Sequence, residues 1–389
     1  MLTKSLRGVA PAVPGSPPQL VSYIAPGAPA TRRPADGTEG FVRPEIGFTP
    51  AWFRQHLNLD FGARFHQDPA YRREAAIRMQ AELGRRFAGT ALGQTGRTAG
   101  PLDLLTGTHG ACTVAAIYGV PIRYAENNWP SCAPSPLTEA DLARLEPPDL
   151  TRNPHLEDLM TQLDWIERQE GRIDGYLNWQ GVLNNAHRLR GEQLFLDLID
   201  EPERCRHLFA CVCETMIQGI RLLHARQARG GAPPAAAQRF VTVSNCLVNL
   251  VSPEVYRDVL LPFDQKLAAV YGCIGIHNCA WNATPYLETY ARVPGVAYID
   301  MGLDSNLGRA RELFPHARRA LMYTPMAAMN KPWKEVETDF ERVAREYAPC
   351  DLVVADIDPG MPNARVTEII RLAESLSTQG NVPATSRLT

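Results

Sequence analysis

Along the second half of the chain, hydrophobic positions switch repeatedly between two spacings. Short apolar, β-branched runs at Phe240–Asn245, Cys273–His277, Val296–Met301, Ala320–Tyr323 and Leu352–Asp356 predict strands. Between them, apolar residues recur at helical spacing over Pro253–Tyr271, Pro285–Arg292, Asn306–Phe314, Trp333–Tyr347 and Ala364–Ser377. Ser252-Pro253-Glu254 and Thr284-Pro285 read as helix starts. Strands alternating with helices in this way predict parallel βα units. With an earlier strand over Gly175–Val182, the pattern predicts an α/β fold, a (β/α)8 TIM barrel. An open doubly wound sheet is the second reading, but the Gly-rich first turn such sheets use for nucleotides is absent.

The first half is less regular. Thr49-Pro50 opens a helical extension before the barrel, broken near Asp68-Pro69. His56 and His66 in it read as solvated, while Asp60, beside Phe61, could line the barrel mouth. Thr106–Tyr124 is apolar and Gly-punctuated, with no phosphate-loop pattern; His109 and Cys112 have a metal-like spacing there. Residues 127–150 read as loop, short helix from Thr138, and loop. Amphipathic helices follow over Asn153–Glu170 and from Pro202. Cys205, Cys211 and Cys213 share the latter, and residues two apart on a helix diverge by about 200°, so Cys-Val-Cys is core packing rather than a metal pair. Three segments result: a flexible Pro/Ala-rich arm over 1–40, one barrel over 41–380, and a tail over 381–389.

Charge changes this picture little. The 389 residues carry 40 Lys+Arg against 42 Asp+Glu, so no broad footprint for nucleic acid or an anionic membrane is expected. No apolar run reaches the roughly 18 residues of a membrane span, and no secretory signal opens the chain, which makes the cytoplasm the expected location. Nine scattered cysteines are expected to be reduced.

Barrel chemistry sits at the C-terminal ends of strands. Those ends carry Asn178, Trp179 and Gln180; Ser244, Asn245 and Cys246; His277 and Cys279; Asp300 and Asp304; Tyr323, Thr324 and Met326; and Asp356 and Asp358. His277 and Cys279 are two apart on an extended backbone, so they leave one face together. One imidazole and two thiols from neighbouring strands, with carboxylates across the mouth, suit Zn2+ better than the oxygen-seeking Mg2+ or Ca2+.

From about Asn127 onward the chain resembles the uroporphyrinogen decarboxylase superfamily, and within it the zinc-dependent, corrinoid-linked methylcobamide:thiol methyltransferases. The resemblance rests on NNWPSCAPSPLTEADLARLEPPD, GYLNWQGVLNNAHRLRGEQLFLDLIDEPE, LVSPEVYRDVLLPFDQKL, GIHNCAWNATPYLE and DIDPGMPNARVTEIIRLAE, in that order. It implies a (β/α)8 barrel holding zinc through an HxC pair, matched by His277 and Cys279, and a later Cys just before the last helix. The later slot falls on Ala355-Asp356 here. Cys350 comes six residues earlier, about 20 Å along an extended strand, so Asp356 is the better substitute, with Cys246 as the other possibility.

The resemblance implies methyl transfer between a small-molecule donor or thiol acceptor and a corrinoid. The chain has no DxHxxG cobalamin segment, so the corrinoid is expected on a separate protein. Asp60, Asp300 and Tyr323 are then the expected catalytic groups. Asn178, Trp179, Gln180, Asn245 and Met326 are the expected substrate contacts. Two alternatives stay open. One is a metal-independent decarboxylase using Asp60 or Asp300, although the arginine-bearing N-terminal segment of that branch is missing and no strand end supplies an arginine for a polycarboxylate. The other is a non-catalytic barrel that binds a corrinoid or a partner protein. A homo-oligomer is compatible with the sequence.

Overall fold

The computed structural model describes residues 42–93, 101–133, 136–229 and 241–380. The expected arm (1–40) and tail (381–389) lie outside them. Six strands form one parallel sheet: β1 (Val42–Phe48), β4 (Val241–Ser244), β5 (Ile274–His277), β6 (Val296–Gly302), β7 (Arg318–Met322) and β8 (Cys350–Ile357), in the order β1-β8-β7-β6-β5-β4. β2 (Ile122–Ala125) and β3 (Asn128–Cys132) make a separate antiparallel hairpin. Two extended segments without ladder pairing lie beyond β4. Tyr176 ties them together: its N–H donates to Thr106 Oγ1 (2.9 Å) and its hydroxyl to the Thr242 carbonyl of β4 (2.8 Å). The architecture is therefore TIM-barrel-like, with a main sheet of six strands among the described residues and irregular chain beyond its β4 edge. Gly175–Val182, predicted as a strand, is one of these irregular stretches, and the helix Val182–Arg190 begins at its end.

Alternation along each strand separates two apolar populations, as a barrel requires. Ile299, Met301, Leu321, Leu352 and Val354 face the helices. Tyr298, Ala320, Met322, Val353 and Ala355 form a distinct inner cluster. Near the strand starts, Asp351 accepts from Arg43 (2.9 Å) and from Arg318 (2.6 and 2.7 Å), closing that end with paired charge. The strands predicted for the second half appear within a few residues of their expected bounds.

β1 was not predicted. Pro44 breaks its pattern, and Pro lacks the N–H a central ladder needs. It is accommodated because β1 pairs with β8 alone. β3, in a stretch expected to be loop, carries Pro130 and pairs with β2 alone. The helix predicted over Pro253–Tyr271 forms, with a π-turn at Tyr256–Leu260. Among the described residues only Pro202–Ala228 is long and apolar enough to cross a membrane, and 61% of its most apolar window is buried inside the fold. Cys205, Cys211 and Cys213 are buried on it, as expected for core residues.

Candidate metal centre

Strand register builds the site. Ser244 of β4 pairs with His277 of β5, and the Asn245 N–H donates to the His277 carbonyl (2.7 Å). Two residues further along each chain lie Cys246 and Cys279, which therefore arrive side by side, their sulfurs 2.9 Å apart. His277 Nε2 lies 3.0 Å from Cys279 Sγ. The three potential ligand atoms are all within 4.8 Å of one another. Cys279 has φ 58°, a left-handed conformation uncommon outside glycine, and this turn brings its thiol back toward His277.

A layer of hydrogen bonds fixes the imidazole. His277 Nδ1 donates to Asp300 Oδ2 (2.6 Å), which leaves Nε2 for the thiols. Asp300 is fully buried and also accepts from the Asn278 N–H (2.7 Å) and the Tyr298 hydroxyl (2.6 Å). Asn278 in turn accepts from Tyr290 (2.7 Å). On the β4 side, Asn245 donates to Asp264 (2.9 Å), which also accepts from Tyr256 (2.7 Å); burial pushes the Asp264 carboxyl up to about 6 against both bonds. Burial works against a charge on His277, but Asp300, Cys279 and Cys246 together hold it well above its usual range. The hydrogen bond from Cys279 holds Cys246 well below the usual thiol range, despite burial, and pushes Cys279 up in return. Two sulfurs and an oriented imidazole nitrogen fit a zinc ion and leave a fourth position open.

The other expected residues divide. Asp356, at the end of β8 with φ 56°, lies outside the trio; its Oδ1 accepts from the Trp129 indole N–H (3.3 Å), and burial raises its pKa. Cys350 sits at the opposite end of that strand, as the spacing required. Asp300, expected as a catalytic group, is fully buried and bonds His277 and the Asn278 N–H, the geometry of a group that orients the imidazole. Tyr323 turns outward: its hydroxyl donates to Asp339 (2.7 Å) and its ring packs edge-on against Phe340. Asp60 accepts from the Gly62 N–H (2.7 Å) in a local turn. Trp179 is buried against Gly219 on the outside of the barrel, not in a substrate pocket. Asn178 and Gln180 do join the rim, in a run of amides: Gln180 donates to Asn178 (2.8 Å), Asn184 to Gln180 (3.0 Å), and the Leu247 N–H to Asn184 (3.2 Å), next to Cys246. Met326 is 66% exposed on the loop side of β7.

Sequence reasoning missed Trp129, Asn184 and Gly302. Gly302 has a visible reason: its N–H donates to the Trp281 carbonyl (2.8 Å), and a Cβ there would collide with the Ala280 carbonyl. Gly302→Ala is expected to destabilise the protein by about 2 kcal/mol in urea denaturation, because the loop carrying Cys279 must move. Gly308→Ala, in a helix where the added Cβ would meet only Asn306 Oδ1 at an ordinary 3.9 Å, is the control expected to be neutral or stabilising.

His66 corrects the solvated reading. It is 1% exposed, and its Nδ1 accepts from the His109 N–H (3.1 Å). Its ring stacks on Tyr124, and His155 lies 4.6 Å from His109, ring centre to ring centre. Burial, and then Arg72, push His66 down to about 3; His109 and His155 are lowered too, chiefly by burial. An imidazole depressed below its unfolded value of about 6.5 binds fewer protons folded than unfolded. Stability is therefore expected to fall as pH drops from about 6.5 toward 3, by up to about 1.4 kcal/mol per pH unit for His66 alone. Urea titrations at stepped pH check this, with His66→Gln expected to flatten the slope.

No family model and no curated protein matches this sequence. Among solved structures, the fold is similar to a methyltransferase from Methanosarcina mazei, with a TM-score of 0.58 at 14% identity, over 89% of this chain and 96% of that one. A putative vitamin-B12 independent methionine synthase from Listeria monocytogenes overlaps 51% of this chain and 62% of its own at 10% identity, with a TM-score of 0.34, too low to argue from.

Proposed function

We propose that the protein is a zinc-dependent methyltransferase moving a methyl group between a small molecule or thiol and a corrinoid held by a separate protein. The observation that carries this reading is the Cys246–His277–Cys279 trio at the C-terminal rim of a TIM-barrel-like fold. The methyltransferase whose fold it shares supports the reaction class.

Zinc on these three residues would bind a substrate thiol at its open position and favour the thiolate, the form that attacks a methyl carbon. The protein's own residues supply the rest. Asp300 holds the His277 proton on Nδ1, so Nε2 stays available. The Trp129–Asp356 contact brings the β2–β3 hairpin to the rim, and the Asp356 carboxylate beside the trio suits a role in steering or deprotonating the incoming group. Leu250 and Trp281, in the segments after β4 and β5, and Met326 and Met329, on the helix Pro325–Asn330 after β7, are exposed apolar side chains that suit a docking protein.

The metal-free lyase reading is weaker, because Asp300 is sealed and Asp60 is occupied by its own turn. The test is zinc content together with methyl transfer from free methylcobalamin to a panel of small thiols, before and after chelation. Stoichiometric zinc and chelator-sensitive transfer support the proposal. Protein that purifies without zinc and takes none up overturns it.

A further inference from the structure

We propose that Cys112 and Cys132 form a second, redox-active thiol pair, closing to a reversible disulfide outside the metal centre. Cys132 is the last residue of β3, and Cys112 sits in the turn before the helix Thr113–Ile117. The turn lies tight against the strand. Cys112 Sγ is 3.6 Å from the Pro130 carbonyl, and a Cβ at Gly110 would stand 3.1 Å from the Pro130 ring. Pro130 and Cys132 leave the same face of β3. The two thiols are neighbours, each the strongest influence on the other's titration, and both are free.

The pair is asymmetric in a useful way. Cys112 is buried, whereas Cys132 is half-buried and reachable from solvent. Arg188, from the helix Val182–Arg190, places its positive charge near the Cys132 sulfur while its Nη1 donates to the Asn184 carbonyl (3.1 Å). The Cys112 thiol beside it, with Arg188 adding to the effect against burial, brings Cys132 down to about 7, while Cys112 is pushed up. Cys205, Cys213 and Cys350 are raised by burial, so Cys132 is the reactive thiol of this part of the molecule.

The chemistry balances with a hydroperoxide as oxidant. The Cys132 thiolate attacks the peroxide oxygen, giving a sulfenic acid and, after protonation, water from hydrogen peroxide. Cys112 sulfur then attacks Cys132 sulfur; the S–O bond breaks, and the hydroxide leaves as water with the Cys112 proton. Two thiols and one peroxide become one disulfide and two waters. The bond would staple the hairpin to the turn at 109–112. Trp129, three residues before Cys132, is the side chain that reaches Asp356.

The test is a non-reducing digest of the full-length protein after treatment with one equivalent of hydrogen peroxide at pH 7. A Cys112–Cys132 linked peptide, removed by dithiothreitol, is expected; peptide mapping separates it from any Cys246–Cys279 product. In untreated protein Cys132 should be alkylated faster at pH 7 than Cys273, another half-buried thiol, and Arg188→Gln should slow it about tenfold. The proposal is overturned if Cys132 stays reduced while Cys246 and Cys279 oxidise. It is also overturned if Cys132 alkylates no faster than Cys273.

Discussion

Purified from zinc-containing medium, the protein is expected to carry about one zinc per chain, and Cys246→Ser is expected to remove most of it. The expectation follows from register. The two thiols meet because Ser244 and His277 are ladder partners and each cysteine lies two residues beyond. A zinc site held by three protein ligands at a few kcal/mol each should lose about 100- to 1,000-fold in affinity when one is removed. His277→Ala and Cys279→Ser should match that loss. Cys350→Ser should leave the metal in place, because Cys350 begins β8, far from the strand's site end. Zinc retained by Cys246→Ser but lost from Asp356→Ala would shift the third ligand to β8. Elemental analysis and chelator competition on the five variants decide it.

The second large effect is expected at a residue that never reaches the metal position. Asp300→Asn keeps the shape but replaces one acceptor with an amide donor, where three donors now converge. If the amide faces His277 Nδ1, that nitrogen must become the acceptor and the ring proton moves to Nε2. The atom aimed at Cys279 then carries a hydrogen instead of a lone pair. Losses of about 10- to 100-fold in metal affinity are typical when such a partner is removed. Tyr298→Phe deletes one donor to the same carboxylate and should change affinity far less. An unchanged affinity in Asp300→Asn, measured by chelator competition, would mean that the carboxylate supports folding alone.

The parts of the fold that were legible in the sequence are those where one face is buried and the period is regular. β4 to β8 showed through because parallel strands covered by helices are short apolar runs between amphipathic stretches. β1 and the hairpin stayed hidden because Pro44 and Pro130 break the strand pattern where only one neighbour demands hydrogen bonds. At the site, the HxC spacing paired His277 with Cys279, but not along an extended backbone: the strand ends at His277, and the left-handed turn at Cys279 brings the thiol back. Cys246 stood out only as a strand-end thiol, since nothing local to its sequence reveals that β4 and β5 are in register. Tyr323 misled because a residue just past a strand end can face either way; its hydroxyl found Asp339 on the neighbouring helix. Trp129 was beyond reach, because its partner lies 227 residues away.

The three potential ligands and the two carboxylates that brace them, Asp264 and Asp300, all come from the stretch between Asn245 and Asp300. The seam between the first and last strands, by contrast, joins residues 308 apart. Contacts close along the chain form sooner than distant ones. During synthesis, three consecutive βα units could therefore capture a cation while the final strand is still inside the ribosome, so cofactor loading need not wait for the ring to shut.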